Sequence, residues 1–219
     1  MVKHKKLLYI SIILLMVVMA LNFPFPNRYP LIETRLSILN IPIQTESGFH
    51  IIGIVSLVLI LTGLIMLSIS LKKYSGRMMV VTIIALKFIP IFFIFVYQST
   101  FAQGIYAISY DSEESTCTFE MIREDTLSGN CALQFKNYQN KDVQFQLEFQ
   151  EERWNEDDPP MVEMMNNEAP YEITIHGKQE KTVFMNTLID VSKMKNHIEG
   201  GQANDVDIII RSRDKEREL

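Results

Sequence analysis

Acidic side chains are nearly missing from the first half of this chain, and long apolar runs are missing from the second. Residues 1–109 hold 9 Lys/Arg but only 2 carboxylates, Glu33 and Glu46, while residues 110–219 hold 12 Lys/Arg against 24 Asp/Glu, a net charge of −12. The second half therefore contains no segment able to span a bilayer, which takes about 20 apolar residues of helix. Cys117 and Cys131 are the only cysteines. Their spacing is wrong for a CxxC redox pair, and no histidine lies close enough in sequence to complete a zinc site. No nucleophile elbow, metal-ligand set or glycine-rich phosphate loop occurs. The serine in Thr126-Leu-Ser-Gly-Asn has no histidine or acid placed to activate it. Neither catalytic residues nor a cofactor is expected.

What the first half does contain is three long apolar runs. They cover Leu7–Phe23, Ile51–Leu71, and Met78 to about Tyr97, the last extending to Ile108 on its most generous reading. Each is apolar all round rather than striped, as expected of a helix surrounded by lipid. Lys3, Lys5 and Lys6 precede the first run, and Lys72, Lys73 and Arg77 separate the second from the third. The segment between the first and second runs offers only Arg28 and Arg35, offset by Glu33 and Glu46. The positive-inside bias then predicts a multi-pass protein of the cell membrane, with its N-terminus cytoplasmic and everything after the third run extracytoplasmic. A rival reading takes the first run as a signal peptide cut after Ala20, which leaves that final topology unchanged. Tyr29–Ile43 reads either as a short helix lying in the outer interface or as an ordered loop.

One charge interrupts the third run. Lys87 lies nine residues after Met78, roughly 13 Å along a helix. That is near the bilayer midplane, where a charge costs at least about 2.5–3.5 kcal/mol and marks function or a partner. The competing reading is a cytoplasmic anchor that snorkels to the interface. Pro90 would free a carbonyl near Leu86.

After residue 110 the apolar period changes to two. In Asp142–Gln150, Val143, Phe145, Leu147 and Phe149 share one face, and Gln144, Gln146, Glu148 and Gln150 the other, which is the pattern of a strand with one buried face. Cys131, Leu133 and Phe135 alternate likewise, so residues 130–150 are expected to form a hairpin through the polar connection Asn137–Asp142. Further strands are expected at Thr116–Ile122, Tyr171–His176, Lys181–Leu188 and Val206–Arg211. Six short strands and one long polar loop predict an all-β sandwich domain over 110–219. The hairpin, the strand after Pro170, the Lys-Gln-Glu-Lys turn and the closing Asp-Val-Asp-Ile-Ile-Ile strand together resemble a minimal immunoglobulin-like sandwich from Thr116 to Ser212. The resemblance is one of fold only. Trp154, the sole tryptophan, lies in or beside the long loop rather than on a core strand.

Export makes a Cys117–Cys131 disulfide the expected state. It would close a loop worth about 3 kcal/mol of chain entropy. The densest charge, Glu151–Pro160, offers Glu156, Asp157 and Asp158, which read more readily as a solvated interaction loop with Trp154 than as a Ca²⁺ site. Asp205 and Asp207 share a side of a strand, and His176 and His197 are isolated. Arg211–Leu219 is expected to be a frayed, charged tail.

These readings predict a bacterial-type membrane-anchored protein whose acidic domain engages a protein or ligand outside the membrane. Its partners would be the lipid bilayer and a protein or membrane complex, and nucleic acid is disfavoured by charge. The alternative is an accessory subunit of a transport or signalling complex that works through its spans and Lys87.

Overall fold

The computed structural model describes residues 2–27, 51–151, 159–194 and 197–219. Tyr29–Ile43 and the four loop residues Trp154, Glu156, Asp157 and Asp158 lie outside the described residues. The chain divides into two compact units, Met1–Val96 and Tyr97–Leu219.

The first unit is helical, with α1 at Lys5–Leu21, α2 at Ile51–Ser70, and α3 starting at Ser75 and ending at Thr100 in the second unit. Helices α2 and α3 are long and apolar enough to cross a membrane. Helix α1, at 17 residues, is shorter than either. It runs antiparallel to α2, because the Lys3 N–H donates to the Ser70 carbonyl (2.7 Å) and Asn22 Nδ2 at the other end donates to Ser56 Oγ (2.8 Å). Between them Ser11 Oγ donates to the Gly63 carbonyl (2.8 Å). A Cβ on Gly63 would stand 3.1 Å from the Leu15 side chain, so glycine is what lets the helices approach. Small residues and hydroxyl bonds of this kind join helices where hydrophobic burial provides no drive. Large apolar side chains such as Ile13, Leu57, Phe92 and Phe93 face outward.

The second unit is β-rich. Its eight described strands are β1 (Ile108–Arg123), β2 (Thr126–Asn137), β3 (Val143–Gln150), β4 (Tyr171–Ile175), β5 (Glu180–Asp190), β6 (Gly200–Asn204), β7 (Asp207–Ser212) and β8 (Lys215–Glu218). They form two four-stranded sheets, ordered β5-β2-β1-β6 and β4-β3-β7-β8. Every named pairing is antiparallel. Inward residues of both sheets make one core, including Phe119, Leu133 and Phe135 from the first sheet and Phe145, Leu147, Ile175 and Ile210 from the second. The Phe135 and Phe145 rings meet at 5.6 Å between centroids. Val143, Phe145, Leu147 and Phe149 are all buried, as their alternation predicts.

Three expectations need correction. Residues 130–150 are not a hairpin: β2 pairs with β1 and β5, while β3 pairs with β4 and β7 in the other sheet. Alternation reveals which face of a strand is buried but not which strand lies beside it. Here the polar connection carries the chain from one sheet to the other, and Asn137 fixes the crossing. Its buried amide donates to the carbonyls of Lys141 (2.9 Å), Ile175 (3.1 Å) and His176 (3.2 Å) and accepts from the Gln139 N–H (3.0 Å). The true hairpin is β1–β2, turning at Glu124 and Asp125. Second, the sequence suggests six strands where the described residues form eight, because β6 begins Gly-Gly and β8 is Lys-Glu-Arg-Glu, neither with apolar alternation.

Third, the C-terminal segment is not a frayed tail. Strand β8 pairs with β7, and Leu219 exchanges backbone hydrogen bonds with Ile208 (2.8 and 2.9 Å). Arg217 is 3% exposed. Its Nη1 donates to the carbonyls of Ile105 (2.5 Å) and Ile108 (2.8 Å). Burial pushes its guanidinium down to about 10, against the opposing pull of Tyr106 and Tyr97. Gln98 Nε2 reaches the same turn, donating to the Ile108 carbonyl (3.1 Å). The β unit thus begins in the last turn of α3, upstream of the compositional change near residue 109.

Candidate interaction surface

Cys117 and Cys131 are disulfide-bonded, and their Cα atoms are 4.1 Å apart. They sit directly opposite one another on β1 and β2. That separation belongs to a non-hydrogen-bonded antiparallel pair, spaced at about 4.5 Å rather than the 5.5 Å of a hydrogen-bonded one. The N–H and C=O of Cys131 therefore point away from β1, toward its β5 partner Met185. The β2–β5 register runs unbroken from Thr126↔Asp190 to Lys136↔Glu180. Beyond each end the ladder continues on odd-numbered residues, from Val191 N–H to Asp125 O (3.0 Å) and from Asn137 N–H to Gln179 O (2.9 Å). Odd residues of β5 thus bond to β2. Thr182, Phe184, Asn186, Leu188 and Asp190 aim their backbone groups at the sheet's open side.

That open side is long. Strand β5 has 11 residues, while the other edge strands, β4, β6 and β8, have 5, 5 and 4. Among the described residues no strand pairs with β5 beyond β2. Thr182–Ile189 carries no charge, proline or glycine. Unpaired backbone on such an edge is a template for a further strand, and natural proteins usually blunt it with charge, proline or a bulge. In β5 charge appears only at the ends, as Glu180, Lys181 and Asp190. The Glu180 carboxylate is already held by Lys136 Nζ (2.6 Å).

Side chains on the outer face form rows across three strands: Thr116–Ala132–Phe184, Thr118–Asn130–Asn186 and Glu120–Ser128–Leu188. Polar members satisfy one another, with Thr182 Oγ1 donating to Gln134 Oε1 (2.6 Å) and Asn186 Nδ2 donating to Asn130 Oδ1. Against this flat polar ground Phe184 is 79% and Leu188 56% exposed. Opposite faces of β5 are thus both apolar in part, since Ile189 is buried in the core and Val183 and Met185 pack against it. Sequence reasoning recognised this strand and missed its edge. The legible signal was apolar residues on both faces of Lys181–Leu188, where β3 shows glutamine and glutamate on one.

A cleft of ≈ 680 Å³ on the second sheet is lined by Gln144, Gln146, Glu172, Arg211 and Lys215. Its Arg211 and Glu172 are bonded within the sheet. Arg211 bonds to Glu216 and Glu148, each at 2.5 Å, and those carboxylates hold its guanidinium above the ordinary value. Glu172 accepts from Gln146 (2.7 Å).

Lys87 is exposed at the middle of the 26-residue α3. The described part of the helical unit contains no carboxylate, because Glu33 and Glu46 fall outside it. Asp205 and Asp207 form no metal-holding group, and no cluster of three His, Cys, Asp or Glu side chains suited to a metal occurs among the described residues. Two flanks of the long loop are tied down. Glu151 Oε2 accepts the N–H groups of Met161 (2.8 Å), Val162 (3.0 Å) and Glu163 (3.3 Å), and the Asn166 amide pairs with both backbone groups of Phe149 (2.8 Å each). Compared with protein-family models, curated proteins and solved structures, the chain matches none.

Proposed function

We propose that this chain is a membrane-anchored protein that presents its acidic β-sandwich outside the cell membrane to bind another protein. The observation that carries this reading is the open edge of β5, an uncharged backbone template beside the exposed Phe184 and Leu188. Three spans with the N-terminus in the cytoplasm are the proposed topology, from the lysines before α1 and between α2 and α3. An immunoglobulin-like assignment is supported by the neighbours β5-β2-β1 in one sheet and the order β4-β3-β7-β8 in the other, which correspond to strands E-B-A and C′-C-F-G of such folds, while β6 departs from them by pairing with β1 instead of β5. The bridge departs from that pattern, joining neighbours within one sheet instead of crossing the core. Binding rather than catalysis is the proposed activity, and the excess of carboxylates disfavours nucleic acid.

The test replaces residues 1–96 with an unrelated membrane anchor. Retained partner capture, lost on Phe184→Lys, supports the reading. Capture that depends on the native helices overturns it.

A second reading is favoured by Lys87, a lone cation midway along an apolar helix. In it the spans join a transport or signalling complex whose partner helix supplies the counter-charge. Lys87→Leu would then abolish complex retention while insertion is unchanged. A silent Lys87→Leu excludes that reading.

A further inference from the structure

We infer that the partner of the β5 edge is β5 of a second copy of this chain, paired antiparallel about a twofold axis at Asn186. The inference rests on the proposed reading of that edge as an interaction surface, and it goes further by naming the occupant and the register.

Antiparallel addition must match the backbone groups that point outward. These belong to even-numbered residues, as the β2–β5 ladder requires. A twofold axis through the strand then allows only a few registers, and side-chain chemistry separates them. An axis at Met185 sets Glu180 against the second copy's Asp190 on both sides, and directly opposed like charges destabilise a sheet. An axis at Phe184 sets Glu180 against Leu188, a carboxylate on an apolar side chain. An axis at Asn186 removes both conflicts. Each Phe184 then faces the other copy's Leu188, each Asp190 carboxylate faces a Thr182 hydroxyl, and the two Asn186 amides face each other across the axis. No like charges are opposed in the paired stretch 182–190.

The two most exposed apolar side chains of the strand, Phe184 and Leu188, cover one another in this arrangement. The two four-stranded sheets become one continuous eight-stranded sheet, and the longest open edge disappears. This is an isologous contact, in which one patch meets itself and the assembly closes at two copies. Backbone bonds would supply attraction, and the Phe–Leu pairs would fix the register, as in other strand additions.

Cysteine cross-linking of the full-length protein in native membranes tests the register. Opposed residues of a hydrogen-bonded pair have Cα atoms about 5.5 Å apart, within the roughly 4.4–6.8 Å that a disulfide spans. Under mild oxidation Asn186→Cys is expected to give a disulfide-linked dimer severalfold faster than Thr174→Cys, an exposed position on the other sheet. Mixed Phe184→Cys and Leu188→Cys chains should cross-link to each other faster than either does to itself. Resistance of the β unit to a protease serves as the check that each variant is folded.

Faster self-linking of Phe184→Cys than of the mixture overturns the Asn186 register. Dimer from Asn186→Cys no faster than from Thr174→Cys overturns self-pairing altogether. In that event, loss of another captured protein on Phe184→Lys keeps the edge as an interaction surface. An edge variant without effect on any capture removes both inferences.

Discussion

The guanidinium of Arg217 and the carbonyl of Ile105, 112 residues apart in sequence, are joined by a 2.5 Å hydrogen bond in the interior. The same nitrogen reaches Ile108 (2.8 Å), so the strand at the end of the chain clamps the turn at the start of the β unit. Replacing Arg217 with alanine strands the Ile105 carbonyl and empties the space of a long side chain. The expected cost is about 3 kcal/mol, from a lost charged hydrogen bond and an unsatisfied acceptor. Thermal unfolding of the variant in detergent checks it. An unchanged midpoint would show that the clamp contributes nothing.

The Cys117–Cys131 bridge lies on the core side of its sheet, with Cys117 at 0% and Cys131 at 2% exposure. Reduction alone should therefore leave both thiols slow to react with a maleimide while the fold persists. Cys117→Ala with Cys131→Ala is expected to lower stability by about 3 kcal/mol in the chain-entropy account. Measured labelling rates of reduced protein, native and denatured, separate burial from oxidation. Topology is better read from an added exposed thiol. On intact cells, an impermeant maleimide should label Thr174→Cys if the domain is outside, and leave it unlabelled if the domain is cytoplasmic.

Backbone direction along β5 predicts opposite responses to proline at neighbouring positions. The N–H of Met185 serves the β2 ladder, while that of Asn186 points to the open edge. Proline is tolerated in a strand only where its missing donor would have faced away from a partner. Met185→Pro should prevent folding, and Asn186→Pro should leave a protease-resistant domain. Equal protease sensitivity of the two would refute the assigned directions.

Acid should weaken the β unit through a set of exposed carboxylates. The His176 side chain, at 2.9 Å, and then the Gly177 N–H, at 3.0 Å, hold Asp142 below the ordinary carboxylate value. Lys136 does the same for Glu180, and Ser192 for Asp190. A carboxylate depressed by folding stabilises at pH above its unfolded value, and that gain vanishes as pH falls through its folded value. The unfolding midpoint should thus decline as pH drops below about 4. Asp142→Asn should show a shallower decline, and salt should shrink the difference because these groups are exposed. Parallel curves for wild type and Asp142→Asn would acquit Asp142.

Much of this architecture is visible in the residues. The Val143–Phe149 alternation states its buried face outright, and the apolar runs locate α2 and α3 within a few residues. Pairing is less visible because it is long-range. Cys131–Phe135 and Val143–Phe149 have the same local pattern whether they neighbour each other or face across a core, and it is the Asn137 amide that decides. Strand β8 escaped notice because its buried member is an arginine, satisfied by carbonyls that no local pattern can place beside it. The β5 edge escaped for a related reason: exposure of Phe184 depends on which strand is absent from its side.

The seam between α1 and α2 bears on how the chain is matured. Ser56, Gly63 and Ser70 recur every seven residues and are buried or closely approached along α2, with Ser11 and Leu15 of α1 fitted against Gly63. Proteolysis after Ala20 would remove the helix that fills this seam. In the proposed membrane topology it would leave α2 notched, with hydroxyls facing hydrocarbon, which a neighbouring helix would then have to occupy. An uncut chain brings its own filler, so retention of α1 and independence from an outside helix are one property.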